Sequence, residues 1–223
     1  MGQKSAKAAG VETLSTAKES RFDAILDSAE TVFARSGYEG ATMREIAERA
    51  GVAQGLIHYH FKTKEVLFEA MVSRRSKQIN EGRAALLDRI MEQGETPDLE
   101  PIVEALFRPT IEAGISQASN GGAFAQILVS TANSAQEREQ LLTEKYYDPI
   151  AQKFISAFME VQPGLTRANA VWAYMFAIGV GMTMMAKTGR PARLSDGLCN
   201  DGDADEMLIK IVPFICSGIR ALS

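Results

Sequence analysis

Residues 42–52 constrain this chain more than any other stretch, because both ends of a short helix are written into them. Thr42 and Glu45 have the spacing of a capping box, in which each side chain satisfies a backbone N–H of the other. Met43, Ile46, Ala47 and Ala50 then form one apolar face at helical spacing. Gly51 supplies the left-handed residue that stops the helix, and Val52 follows as the hydrophobic closure. A second short helix, roughly 54–60, starts only a few residues later. Two short helices separated by a glycine turn, the second polar on one side, describe a helix-turn-helix.

The flanks support that unit. Phe22, Ile25, Leu26, Ala29, Val32 and Phe33 repeat at i, i+3, i+4 and predict a first helix, which Gly37 and Gly40 end. Thr63 can cap a long fourth helix beginning at Lys64, with Val66, Leu67, Ala70 and Met71 turned inward. Residues 1–20 are small, polar and mildly basic without sustained periodicity, which predicts a flexible arm. Beyond residue 80, helices are expected over about 99–118, 123–132, 137–159, 167–187 and 205–221. Pro109, Pro149 and Pro213 fall inside three of them and predict kinks. Pro97, Gly121-Gly122, Pro163-Gly164 and Gly189-Arg190-Pro191 separate helices, and 195–205 reads as an exposed loop. No stretch alternates with a period of two. The expected fold is all-α, with an N-terminal three-helix domain over 21–66 and a larger helical domain over 67–223.

A net charge of −4 looks wrong for a partner of nucleic acid. Counted by region, however, residues 1–80 carry +2 and residues 81–223 carry −6. Phosphate binding depends on the local field rather than the whole-chain sum. Two cysteines, Cys199 and Cys216, and the lack of a signal peptide point to a reducing, cytoplasmic compartment without a disulfide framework. Residues 168–186 carry no charge and could be mistaken for a membrane span. The run is slightly short and holds Asn169 and Thr183, so a buried interface helix explains it better. No membrane partner is expected.

In the second short helix Ile57 and Phe61 are the best core anchors, while Leu56 suits either face. That leaves Gln54, Gly55, His58, Tyr59 and His60 for the DNA side. Gln54 can donate and accept at adenine's N6 and N7, and Tyr59 offers a ring for a thymine methyl and a hydroxyl for phosphate. Gly55 lets the helix approach the groove closely. His58 and His60 can donate to phosphate oxygens. Thr42, Arg44 and Lys64 complete the candidate DNA-binding set; Thr42 and Lys64 sit at helix starts, where free N–H groups favour an anion. A metal reading of the two histidines is weak: at i, i+2 they diverge, and no third ligand lies nearby. No metal and no cofactor are expected. The run Arg74-Arg75-Ser76-Lys77 lies ten residues beyond Lys64 and reads as a solvated face or interdomain contact.

On these residues the chain resembles the TetR family of regulators. The match runs without gaps through Phe33, Gly37-Tyr38, Thr42, Ile46-Ala47, Ala50-Gly51-Val52, Gly55, Ile57, Tyr59-His60-Phe61, Lys64-Glu65 and Leu67. Two positions depart from the family pattern. Ala53 stands where Ser or Thr is usual, which forfeits a helix cap worth ~1 kcal/mol and the phosphate contact that goes with it. His58 replaces a frequent Tyr. The resemblance implies a homodimer whose two recognition helices enter successive major grooves of double-stranded operator DNA. It also implies that 67–223 is a ligand-binding and dimerisation domain whose last two long helices, 167–187 and 205–221, form a four-helix interface. Gly179 and Gly181 suit the close approach of a partner helix there.

The family layout further places a pocket among the middle helices. The apolar candidates for lining it are Phe107, Ile111, Phe124, Leu128, Trp172, Met175 and Phe176, with Ile127 beside them. Methionines crowd 175–185; interface packing is their first reading, a loosely shaped hydrophobic ligand their second. The function so implied is that of a ligand-responsive transcriptional regulator, a repressor released from its operator by a small hydrophobic effector. The rival, a helical enzyme with an incidental helix-turn-helix, lacks a metal-ligand cluster, a phosphate-binding glycine loop and a G-x-S-x-G elbow.

Overall fold

A computed structural model describes residues 3–94, 96–115, 121–132, 134–185 and 188–223, with the backbone alone for 3–20 and 121. Among the described residues every regular element is helical, and the chain divides into two compact units, Met1–Met71 and Val72–Ser223. The division falls five residues later than the 66/67 boundary expected above.

In the first unit α1 spans Gln3–Gly40, α2 Met43–Ala50 and α3 Gln54–Phe61, and α4 (Lys64–Met91) begins there. The stretch expected to be an arm is therefore helical from Gln3. Its alanines, lysines and glutamates are good helix formers even without an apolar stripe. α1 breaks at Gly37, whose φ of 67° and ψ of 174° are accessible in practice to glycine alone. Most of the predicted faces are buried: Ile25, Leu26, Ala29, Val32 and Phe33 of α1, Ile46 and Ala47 of α2, Ile57 and Phe61 of α3, and Leu67 and Met71 of α4, with Phe68 beside them, whereas Val66, expected inward, is 47% exposed. Burying each large member contributes roughly 1.5–3 kcal/mol. Tyr38 closes one end, stacked on Phe33 at 5.9 Å and edge-on to Phe68 at 5.1 Å.

The second unit holds the rest of α4 with α5 (Leu99–Ile115), α6 (Gly121–Ala132), α7 (Glu137–Tyr146), α8 (Asp148–Val161), α9 (Arg167–Met185), the short α10 (Arg190–Leu194) and α11 (Ala204–Ala221). α5 is buried on most sides, and its Ile102, Leu106 and Phe107 share a core with Phe154 and Phe158 of α8, Ala173 and Ala177 of α9, and Ile211 and Ile215 of α11. Two ion pairs strap α11 antiparallel to α5: Arg220 to Glu100 at 2.8 Å and Arg108 to Asp205 at 3.2 Å.

Several expected boundaries moved. The helix predicted over 137–159 is two helices meeting at Tyr147, because Pro149 occupies the first turn of a new helix, where its missing N–H is harmless. Gly121-Gly122 opens α6 instead of separating helices, and α10 fills the gap expected at 189–191. The predicted ends at 118 and 187 lie outside the described residues. α9 is long and apolar enough to cross a membrane by length and composition; in the fold it buries Ala170, Ala173, Tyr174, Ala177, Gly181 and Met185. In the basic run Arg75 is buried, with its guanidinium 5.9 Å from the Phe124 ring centre, rather than solvated.

Candidate functional site

The helix-turn-helix closes through backbone and cap bonds. The Thr42 hydroxyl accepts from the Glu45 N–H at 3.1 Å. The reciprocal half of the expected capping box is absent: the Glu45 carboxylate pairs with Arg35. Gly51, at φ 65°, donates to Ala47 and Glu48 carbonyls, and the Val52 N–H reaches Ala47 O at 3.1 Å, which is a left-handed helix stop. α3 has no side-chain cap at Ala53, as the departure at that position implied.

At 100° per residue, burial of Ile57 and Phe61 points Tyr59 and Gly55 directly outward. Tyr59 is 71% exposed. A Cβ added to Gly55 would meet nothing within 4 Å, so no packing within the chain requires glycine there. Gln54 and His58 are also exposed and linked, Gln54 Nε2 lying 3.4 Å from His58 Nε2. His58 Nδ1 faces the Lys62 carbonyl at 3.3 Å. A carbonyl only accepts, so Nδ1 carries the proton of the neutral ring and Nε2 accepts from the Gln54 amide. One oxygen and one N–H of Gln54 stay available to a base edge. Arg44 is exposed on α2 and donates to Glu48 at 2.8 Å, an i, i+4 pair that raises its pKa.

Two members of the predicted set face elsewhere. The His60 ring is half-buried, edge-on to Phe22 at 5.9 Å, so it packs against α1. The Lys64 ammonium donates to the carbonyls of Tyr38 at 2.8 Å, Ala41 at 3.2 Å and Glu39 at 3.3 Å, and lies 4.5 Å from the Tyr38 ring centre. Its three protons go to carbonyls at the end of α1, and none is left for phosphate. Next to it the Tyr38 hydroxyl donates to Glu65 at 2.7 Å, and chiefly that bond holds the Glu65 carboxyl down to about 2. Sequence reasoning missed Lys62. Its φ of 58° and ψ of −52°, with the Thr63 N–H turned to Phe61 O, form a strained γ-turn that ends α3 and leaves this lysine exposed. Nothing in the composition of the turn marks it.

In the second unit a cavity of about 130 Å³ lies among α4, α5, α6, α7, α8 and α9. Phe107, Ile111, Leu128 and Met175 line it. Phe124 does not: it is buried in a separate cluster with Ile79, Ala125, Leu128 and Met185. Ile127, buried on α6, is also absent from the wall. Trp172 and Phe176 point away on the far side of α9, 59% and 57% exposed and stacked at 5.7 Å. With Phe214 of α11, Phe176 borders a shallow apolar groove instead. Gly181 is buried against the Phe107 ring, 2.7 Å from where a Cβ would stand, so its smallness admits that ring to the cavity wall; Gly179 is exposed. The methionines divide likewise, Met175, Met182 and Met185 facing the cavity. Polar wall residues that the apolar pattern could not flag are Arg83, Thr110, Thr131, Thr143, Tyr147, Asp148 and Tyr174.

Known proteins bear on both units. Residues 25–71 match the model of the bacterial regulatory proteins of the tetR family, and residues 104–218 match that of the tetracyclin repressor-like C-terminal domain. The HTH-type transcriptional repressor AcnR of Corynebacterium diphtheriae is 42% identical over 57 residues, which cover 26% of this chain and 30% of that one. The chain thus spans under a third of that relative. The regulator FadR from Bacillus subtilis, solved with stearoyl-CoA, superposes with a TM-score of 0.65 at 19% identity, covering 88% of this chain and 98% of that one. AibR, solved with isovaleryl coenzyme A and operator DNA, gives 0.60 at 22% identity, with 86% and 98% covered. These likenesses carry the fold; the two model matches, one covering more than half the chain, carry the family. An N-terminal helix-turn-helix with a bare outer face, joined to a helical unit with its own cavity, is a member of the TetR family of ligand-responsive, DNA-binding transcriptional regulators.

Proposed function

We infer that this regulator is a homodimeric repressor whose operator affinity falls when a small, largely apolar effector enters the cavity of the second unit. The observation that carries the DNA-binding half of the reading is Gly55: the first turn of α3 holds a glycine at an exposed position where packing within the chain has no use for it. Close approach of a groove wall supplies the use. Tyr59, Gln54 and His58 are then the base-facing residues, Thr42 and the uncapped start of α3 the phosphate-facing ones, and Arg44 and Lys62 exposed cations at the margins.

One recognition helix buries too little surface for tight, specific binding, and a two-fold dimer matches a palindromic site. Trp172, Phe176 and Phe214 form an exposed apolar face on α9 and α11 that suits a second copy of the chain. Two α3 helices would then stand about one DNA turn (~34–36 Å) or a small multiple apart. α4 carries both Lys64, beside the recognition helix, and Arg83, in the cavity wall. An effector that favours a different α4 position lowers DNA affinity by population shift. AibR, with operator DNA and an acyl coenzyme A bound, is a precedent for pairing these two partners in this fold. We place the protein in the cytoplasm, where its operator is.

The test is binding to the DNA upstream of its own coding sequence across a salt series. Tyr59→Ala should weaken binding without altering the fold or the oligomeric state. If every small apolar compound that raises the protein's Tm leaves operator affinity unchanged, ligand-controlled release is wrong.

A further inference from the structure

The cavity wall contains a buried charge that pairs with no carboxylate among the described residues. Arg83 is 5% exposed. Its Nε donates to the Leu106 carbonyl at 2.8 Å and its Nη1 to Asn80 Oδ1 at 3.3 Å. A guanidinium has five N–H donors in a planar fork and stays protonated. Three donors therefore lack a partner among the described residues, and no carboxylate among them lies within ion-pair distance. Asp148, the one carboxylate on the wall, is exposed and does not pair with Arg83. A buried, unpaired cation is among the costliest arrangements a fold can hold.

Two hydroxyls of the same wall are unsatisfied. Thr110 Oγ1 and the Tyr147 OH are buried and have no hydrogen-bond partner among the described residues. Burial pushes the Tyr147 phenol well above its usual range, so it remains a donor. Much of the remaining wall, including Phe107, Ile111, Leu128 and Ile178, is apolar. The space, about 130 Å³, compares with the ~150 Å³ that accommodates benzene in a protein interior.

We propose that the effector is a small carboxylic acid, its carboxylate received by the Arg83 fork with hydroxyl bonds from Thr110 and Tyr147, and its short alkyl or aryl body held against Phe107, Ile111 and Leu128. This rests on the cavity being the effector site and adds the chemical class. A planar pair of oxygens matches the fork in a bidentate manner. The volume suits a body of one ring or a short chain.

The experiment is calorimetric titration of the full-length protein with benzoate, phenylacetate and hexanoate, each against its primary amide. At least one acid should bind at micromolar to millimolar concentration and at least roughly tenfold more tightly than its amide. Arg83→Met should abolish that preference, and Tyr147→Phe, which removes one oxygen from an otherwise intact wall, should weaken acid binding several-fold. Amides binding as tightly as acids, an acid preference that survives both substitutions, or no binding by any of the three acids would each overturn the assignment. If acids bind with the Arg83 dependence but leave operator affinity unmoved, the assignment stands and the release mechanism falls.

Discussion

Lys64→Met separates a structural lysine from a phosphate-binding one. Methionine keeps the length and apolar stem of the side chain and deletes only the ammonium. Three bonds to main-chain carbonyls are lost, together with the cation over the Tyr38 ring. A hydrogen bond to a charged group contributes roughly 1.5–3 kcal/mol when buried, and an exposed cation–π contact about 0.5–1 kcal/mol. Lys64 is half-buried and water can replace part of the lost bonding, so the net cost should be about 2–4 kcal/mol. For a unit of this size that lowers the unfolding midpoint by roughly 10 °C or more. The assay pairs thermal unfolding of the full chain with operator binding measured well below the midpoint at several salt concentrations. An internal ammonium leaves the slope of log affinity against log salt unchanged, whereas loss of one phosphate contact reduces it by ~0.9. Wild-type stability with a slope lower by about one would refute the inward assignment of Lys64.

Gly55→Ala, in the first turn of α3, should leave the stability of the chain unchanged or slightly raised while weakening operator binding about tenfold or more; a variant that folds as well and keeps its affinity would remove the case for close groove approach. Glu65 ionises near 2 in the fold against an ordinary 4.5, so the stability it contributes is fully present above 4.5 and lost as pH falls toward 2. Tyr38→Phe removes the main cause of that depression, and the pH dependence of unfolding in that window should flatten. Phe176→Lys on the exposed face of α9 should raise the dimer dissociation constant by more than roughly thirtyfold, read by sedimentation, with the monomer still folded; unchanged association would move the interface elsewhere.

What could be read along the chain was whatever depends on neighbours in sequence. Thr42 capping α2, Gly51 stopping it, and Ile57 and Phe61 facing inward are set by hydrogen bonds and helical periodicity spanning no more than six residues, and these follow from local residue types. The outward direction of Tyr59 and Gly55 follows from the same arithmetic. The apolar helices of the second unit were equally visible, but which of their faces meets a cavity was not. Phe107, Phe124 and Phe176 carry the same side chain, and they stand respectively in a cavity wall, in a separate core cluster and on an exposed face. Lys64 and Arg83 show the reason most sharply. Each cation finds carbonyls that lie 23 to 26 residues away along the chain, and one ends as a clamp while the other is left with donors to spare. A side chain's chemistry states what it is able to bind; only the packing of distant helices selects which partners come within reach, because hydrogen bonds and apolar contacts act over a few ångströms of space regardless of separation in sequence.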